Sequence, residues 1–268
     1  MENGKDRRQL IVLTVITVAT FLTAMIGATF AYFTAQVSGS AQTPITVTTS
    51  TSDSLVFGSW PAILIEANQT NFAQGLGDQV GTTGGSVTLT ASTAVDENGN
   101  DITAEYCYTA ELQVTTNTLI YTTAVVDDND TPANADDDTY DTTNAEPELV
   151  ITAVKTPQGG SETTLLDEVD ITTIANNGFI QKTLAYQNAQ TDEQAAMLSN
   201  VLKIPTTTNG TEYVHKLSAT SGQTAIDTWN ITVTLVNLDS DQNENAGDSF
   251  GAMLVYTNVE CPSVEAGD

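Results

Sequence analysis

Positive charge is nearly absent from this sequence. Past residue 31 it has four lysines and no arginine against 32 acidic residues, a formal charge of −28. Polyanions bind by releasing phosphate counterions to Lys and Arg, so four scattered lysines exclude nucleic acid as a partner. Anionic membrane surfaces are disfavoured for the same reason. Such a charge favours solubility and attracts divalent cations. Histidine occurs once, at His215, and there is no H-E-x-x-H, G-x-S-x-G or Walker spacing. The metalloprotease, α/β-hydrolase and P-loop signatures are therefore missing. No pair of carboxylates is singled out by spacing either, and a non-enzymatic protein is expected.

Cysteine is also scarce. Cys107 and Cys261 are the only two, without C-x-x-C spacing, which leaves no basis for a zinc site. They form either a disulfide, which an exported chain can keep oxidised, or two unpaired thiols. A bond between them would close a loop of more than 150 residues, for which chain entropy gives roughly 4 to 5 kcal/mol.

One long apolar run is present, and it lies at the N-terminus. Lys5, Arg7 and Arg8 precede 24 residues, 10–33, with no charge, and the run closes on the small-residue stretch Gly27, Ala28, Thr29, Phe30 and Ala31. A basic n-region, an apolar core and small residues at Thr29 and Ala31 form an export signal that a peptidase cuts between Ala31 and Tyr32. The other reading is an uncleaved anchor, since about 20 apolar residues span a bilayer and the basic residues hold the N-terminus in the cytoplasm. Either way the bulk of the chain is expected outside, secreted or at the cell surface. The membrane is met only through this segment.

The rest of the chain reads as β-structure. Threonine, valine and isoleucine alternate in short runs separated by Gly, Asn, Asp and Pro. Strands are expected at 45–49, 55–57, 62–66, 86–93, 102–115, 118–126, 148–155, 168–174, 179–186, 213–217, 227–238 and 250–259. This spacing predicts an all-β fold, a jelly-roll-like β-sandwich. Period-2 alternation puts Tyr106, Tyr108, Ala110, Leu112 and Val114 on one core face, and Trp229, Ile231, Val233 and Leu235 on another. The last strand has apolar residues on both sides, Leu254 and Tyr256 against Met253, Val255 and Val259, which predicts burial on two faces. One short inserted helix is expected from the capping pair Thr191 and Gln194 through Ala195, Ala196, Leu198, Val201 and Leu202 to Lys203, ahead of Pro205.

Acidic loops are the nearest thing to a chemical motif. Asp127, Asp128 and Asp130 lead into Asp136, Asp137, Asp138 and Asp141, and oxygen clusters of this kind can hold Ca²⁺. Asp239, Asp241 and Asn243 carry oxygens at alternate positions of a second candidate loop. That loop lacks the glycine at its sixth position and has Phe250 where a bidentate Glu is needed. The alternative for both is a solvated acidic turn. No other cofactor is expected.

The stretch Ile26-Gly27-Ala28-Thr29-Phe30-Ala31-Tyr32-Phe33-Thr34-Ala35 resembles the export signals cut by SipW-type peptidases, whose clients are the TasA/camelysin family of biofilm-fibre and cell-surface proteins. The resemblance is specific over residues 5–37 and general beyond, as a Thr- and Val-rich all-β domain. It implies secretion, a jelly-roll domain and self-association into fibres. Some members are described as metalloendopeptidases; with one histidine and no H-E-x-x-H, that activity is not carried over. Fibre formers of this kind donate the new N-terminal segment to the next subunit's sheet. Here Phe33, Ala35 and Val37 alternate with Thr34, Gln36 and Ser38 directly after the cut, the pattern that strand addition requires. A linker or the domain's own first strand fits the same pattern. The organisation expected is a signal or anchor over 1–31, an extended donor segment over 32–43 and a β-sandwich over 44–268. The alternative function is a monomeric, membrane-anchored surface domain that binds a partner or calcium.

Overall fold

The computed structural model describes residues 47–48, 53–67, 77–128, 138–188 and 192–262. Two antiparallel sheets hold nearly all of the β-structure among them. The larger takes β1 (Val47–Thr48), β2 (Ser54–Ser59), β4 (Gln79–Thr90), β12 (Thr224–Leu235), β8 (Leu149–Pro157) and β9 (Thr163–Asp170), in that spatial order. The smaller runs β10 (Val201–Lys203), β5 (Thr103–Asn117), β13 (Ser249–Val259) and β3 (Ile63–Glu66), with β11 (His215–Thr220) also pairing β5. A separate ribbon joins β6 (Val125–Asp127) to β7 (Thr139–Asp141). Among the described residues no helix is long and apolar enough to cross a membrane.

Alternation explains how the sheets meet. In β12 the residues Trp229, Ile231, Val233 and Leu235 are all buried, and Thr228 and Asn230 on either side of Trp229 are exposed. In β5, Tyr108, Ala110, Leu112 and Val114 are buried, and Tyr106 packs against them half-buried. These two stripes face each other, and with Leu55, Leu89, Ile151 and Phe250 they form one continuous core. Each fully buried apolar side chain contributes about 1.5 to 3 kcal/mol relative to exposure, so the inner faces set the register of the fold.

Turns that change sheets carry the special backbone. Between β11 and β12 the Gln223 N–H donates to Thr220 O at 2.8 Å, and Gly222 sits at φ 68°. A side chain there would be strained, and this turn moves the chain from the smaller sheet to the larger.

Several expected elements differ. Residues 179–186 are helical: α1 (Asn177–Lys182) is followed by α2 (Leu184–Asn188), and the Asn176 side chain accepts from Phe179 N at 3.3 Å as an N-cap. Phe179 and Ile180 are adjacent and both buried, which a one-sided strand cannot provide. The helix expected up to Lys203 stops early. It spans Asp192–Met197 as α3, and Val201–Lys203 is β10, paired with β5 through Val201 and Gln113. Thr191 of its capping pair lies outside the described residues. Among the described residues there are thus three short α-helices where one inserted helix was expected. Residues 118–126 are mostly loop, since the Asn117 side chain accepts from Leu119 N and donates to Thr172 O and Ile174 O, turning the chain away from the sheet. Strand β9 ends at Asp170, four residues before the expected limit, because Asp170 Oδ1 accepts from Thr172 N at 2.9 Å in a tight turn. The outward side of β13 is only half-buried at Met253 and Val255, so that strand is buried on one face, not two.

Candidate functional site

The N-terminal candidates, Ala31 and Tyr32 at the cut and Phe33, Ala35 and Val37 in the donor segment, lie outside the described residues. Cys107 and Cys261 are joined by a disulfide with 5.0 Å between their Cα atoms. Register accounts for the meeting. Val259 of β13 stands opposite Cys107 of β5, and Cys261 follows two residues later.

The acidic candidates are set differently from one another. Asp127 ends β6 and Asp128 follows it, both exposed, and Asp130 lies outside the described residues. Asp239, Asp241 and Asn243 are exposed, and Asn243 N donates to Asp241 Oδ1 at 3.1 Å in a local turn. Gln242 and Asn245 of the same loop are buried. Gln242 donates to Glu148 Oε2 and to Val236 O, and its Oε1 accepts from Leu238 N. Asn245 brackets Ile120 by accepting from its N–H and donating to its carbonyl, each at 2.9 Å. This loop is therefore held by the amide side chains of Gln242 and Asn245, while Asp239, Asp241 and Asn243, the residues expected to hold an ion, face outward. Among the described residues no three His, Cys, Asp or Glu side chains converge on a metal position.

Glu148 is the hub of that end of the molecule. It is fully buried and accepts from Thr122 N at 2.8 Å, from the Thr122 hydroxyl and from Gln242. Burial pushes its carboxyl above the usual range, and the hydrogen bonds from Thr122 and Gln242 oppose that shift. The network ties the loop between β5 and β6 to the loop between β12 and β13.

A second buried polar cluster crosses between the sheets. Tyr108 of β5 donates to Asp227 Oδ2 of β12 at 2.6 Å, and Trp229 Nε1 donates to the Tyr108 oxygen at 3.2 Å. Lys155 of β8 lies 3.6 Å from Asp227 Oδ2 and 5.9 Å from the Trp229 ring centroid. His215 stacks on Tyr108 at 5.4 Å and meets Trp229 edge-on at 4.8 Å. Its Nε2 reaches Ile204 O at 3.1 Å, so the neutral ring donates from Nε2. Among the described residues Nδ1 and the Tyr256 hydroxyl find no hydrogen-bond partner. Burial, followed by the Asp227 charge, raises the Tyr108 and Tyr256 hydroxyls well above the usual tyrosine range. Apart from the partly exposed Lys155 the cluster is buried, and it links the two sheets as a polar staple.

A pH dependence follows from it. His215 is 1% exposed, and burial, mainly, holds it down to about 4 from 6.5. A depressed folded value means its neutral form is favoured in the fold. The associated stability is complete above pH 6.5 and is lost as pH falls towards 4, a change of about 3 kcal/mol at 1.36 kcal/mol per pH unit. Denaturation of wild type and His215→Gln across this range should show the wild type losing stability more steeply; parallel curves would contradict it.

A cavity of about 700 Å³ opens between the end of β9 and β10, edge strands of the two sheets, lined mainly by Val169, Ile171, Ile174, Met197, Leu202 and Tyr213. It is predominantly apolar, with Asp170 and Lys203 among its lining residues. Its chemistry suits apolar side chains from an added segment better than a charged ligand. Comparison with protein-family models, curated proteins and solved structures finds no match for this chain.

Proposed function

We propose that this protein is a non-enzymatic extracellular structural subunit of a cell-surface or biofilm-matrix fibre, assembled by strand donation. The observation that carries the reading is the alternation of Phe33, Ala35 and Val37 immediately after an export signal cut between Ala31 and Tyr32. The similarity of residues 5–37 to TasA/camelysin-type signals supports it. The fold reading is a jelly roll, supported by strand orders β3-β13-β5-β11 and β4-β12-β8-β9, the arrangement of two interleaved Greek keys. The apolar cavity at the β9 and β10 edges is a suitable acceptor, because an incoming strand gains affinity from backbone hydrogen bonds and specificity from alternate side chains.

Val37→Asp puts a carboxylate on the donated face, where burial without a partner costs several kcal/mol. The expected result is loss of pelletable polymer from the secreted protein while the monomer keeps its wild-type melting temperature. Changes at Thr34 and Gln36 should leave polymer intact. Equal assembly of Val37→Asp and wild type would overturn strand donation. The second reading, a membrane-anchored monomer that binds a partner or calcium, rests on the 24-residue uncharged run and on the acidic loops. N-terminal sequencing separates it, since retention of Met1 rather than a start at Tyr32 favours the anchor.

A further inference from the structure

The two sheets differ in what they show to solvent. Outward positions on β2, β4, β12 and β8 include no Asp, Glu, Lys, Arg or His. On the other sheet the outward side of β5 carries Glu105 and Glu111, and Lys216 of β11 pairs with Glu105 at 2.6 Å. An uncharged face four strands wide is unexpected in a chain of net charge −27.

Its surface is ordered in rows by strand register. Thr232 stands between Thr82 and Thr152, and two residues along each strand's outer face beyond Asn230, Thr228 stands between Ser86 and Thr156. In the row between them Asn230 lies opposite Gly84, and there the indole of Trp60 covers the glycine. The backbone N–H of Trp60 donates to Gly84 O at 2.8 Å, and a Cβ on Gly84 would come within 2.9 Å of the ring. Trp60 is 51% exposed, so an aromatic group held on the sheet offers the remainder of its surface to solvent. Val80, 54% exposed, extends the apolar part along β4. Acidic groups begin at the border, with Asp167 and Glu168 exposed on β9.

A second copy of this chain is the occupant these features fit. Two molecules of charge −27 repel wherever their acids approach, and this face lets them meet without burying a charge. With strands about 4.8 Å apart and about 3.4 Å rise per residue, the face covers roughly 600 to 700 Å², close to the ~800 Å² per partner of a standard interface. Trp is a frequent anchor of such contacts, and a two-fold operation brings the patch onto itself. We propose that the outer face of the larger sheet is a homotypic interface through which two copies pack sheet to sheet around Trp60. No residue before β2 is needed, so this contact is independent of strand donation.

Sedimentation of the secreted protein over a range of concentration and salt tests it. A dimer should form in wild type and also in Val37→Asp, whatever becomes of fibres. It should strengthen as salt screens the net charge. Asn230→Glu and Trp60→Ala should each weaken it by about thirtyfold or more, while Asn230→Gln retains it and all three keep the wild-type melting temperature. Trp60 and Trp229 are the only tryptophans, and Trp229 is already buried, so a blue shift of emission on dimerisation reports Trp60. A monomer under every condition, or a dimer indifferent to Asn230→Glu and Trp60→Ala, would overturn the proposal. A Trp60 shift seen only on adding insoluble cellulose would also overturn it, and would reassign the face to a neutral polysaccharide.

Discussion

Reducing the Cys107–Cys261 bond is expected to lower the melting temperature by roughly 10 to 20 °C, the consequence of losing about 4 to 5 kcal/mol in a domain of this size. The bond links residues 154 apart in sequence, so opening it releases a large loop in the unfolded chain. In the folded state little changes, because β5 and β13 already pair from Phe250 and Asn117 to Val259 and Cys107. The effect therefore acts through the unfolded ensemble. Thermal melts with and without reductant, alongside a Cys107→Ala/Cys261→Ala double variant, check this. Matching reduced and double-variant curves, both well below the oxidised one, are expected; coincidence of all three would contradict the assignment of a stabilising role.

Trp229→Ala should cost about 3 to 5 kcal/mol, the range for truncating a large buried aromatic. Trp229, on the larger sheet, has no exposed surface and touches the smaller sheet through Tyr108, Tyr256 and His215. Its indole N–H also supports the Tyr108 hydroxyl that binds Asp227. Truncation opens a void and leaves a buried hydroxyl with one donor fewer. Trp229→Phe should cost less, because it keeps most of the apolar volume and loses only the hydrogen bond. Chemical denaturation of the two variants gives the ordering, and a Trp229→Ala loss under 1 kcal/mol would be incompatible with the closed core.

Much of the β-architecture was legible because alternation reports directly on burial. The stripes through Tyr108 and Trp229 could be assigned to core faces from spacing alone, and they are the two faces that meet. The misread elements have identifiable causes. Phe179 through Tyr186 contains enough apolar residues to imitate a strand, but Asn176 caps a helix there. Val201 and Leu202 continue a helical spacing but pair with Gln113 and Leu112 instead. At Phe179 a local cap decided the outcome, whereas at Val201 partners distant in sequence outweighed the helical spacing.

The buried polar groups were not legible, since Tyr108 and Asp227 are 119 residues apart and only the pairing of the sheets brings them together. An acidic residue at an inward position of a strand was the available signal: Asp227 shares the parity of Trp229 and Ile231, and such a charge needs a partner. Gln242 and Asn245 were overlooked for a related reason. Oxygen-rich spacing drew attention to Asp239, Asp241 and Asn243, whereas the side-chain amides of Gln242 and Asn245 tie the loop to the rest of the fold.

Negative-stain imaging of the mature protein recovered from cells, taken together with its N-terminal sequence, tests the central proposal most directly. A chain beginning Tyr32-Phe33 that forms fibres of uniform width, lost in Val37→Asp, is the expected result. Dispersed single particles at every concentration and pH, from a chain that begins at Tyr32, would contradict it.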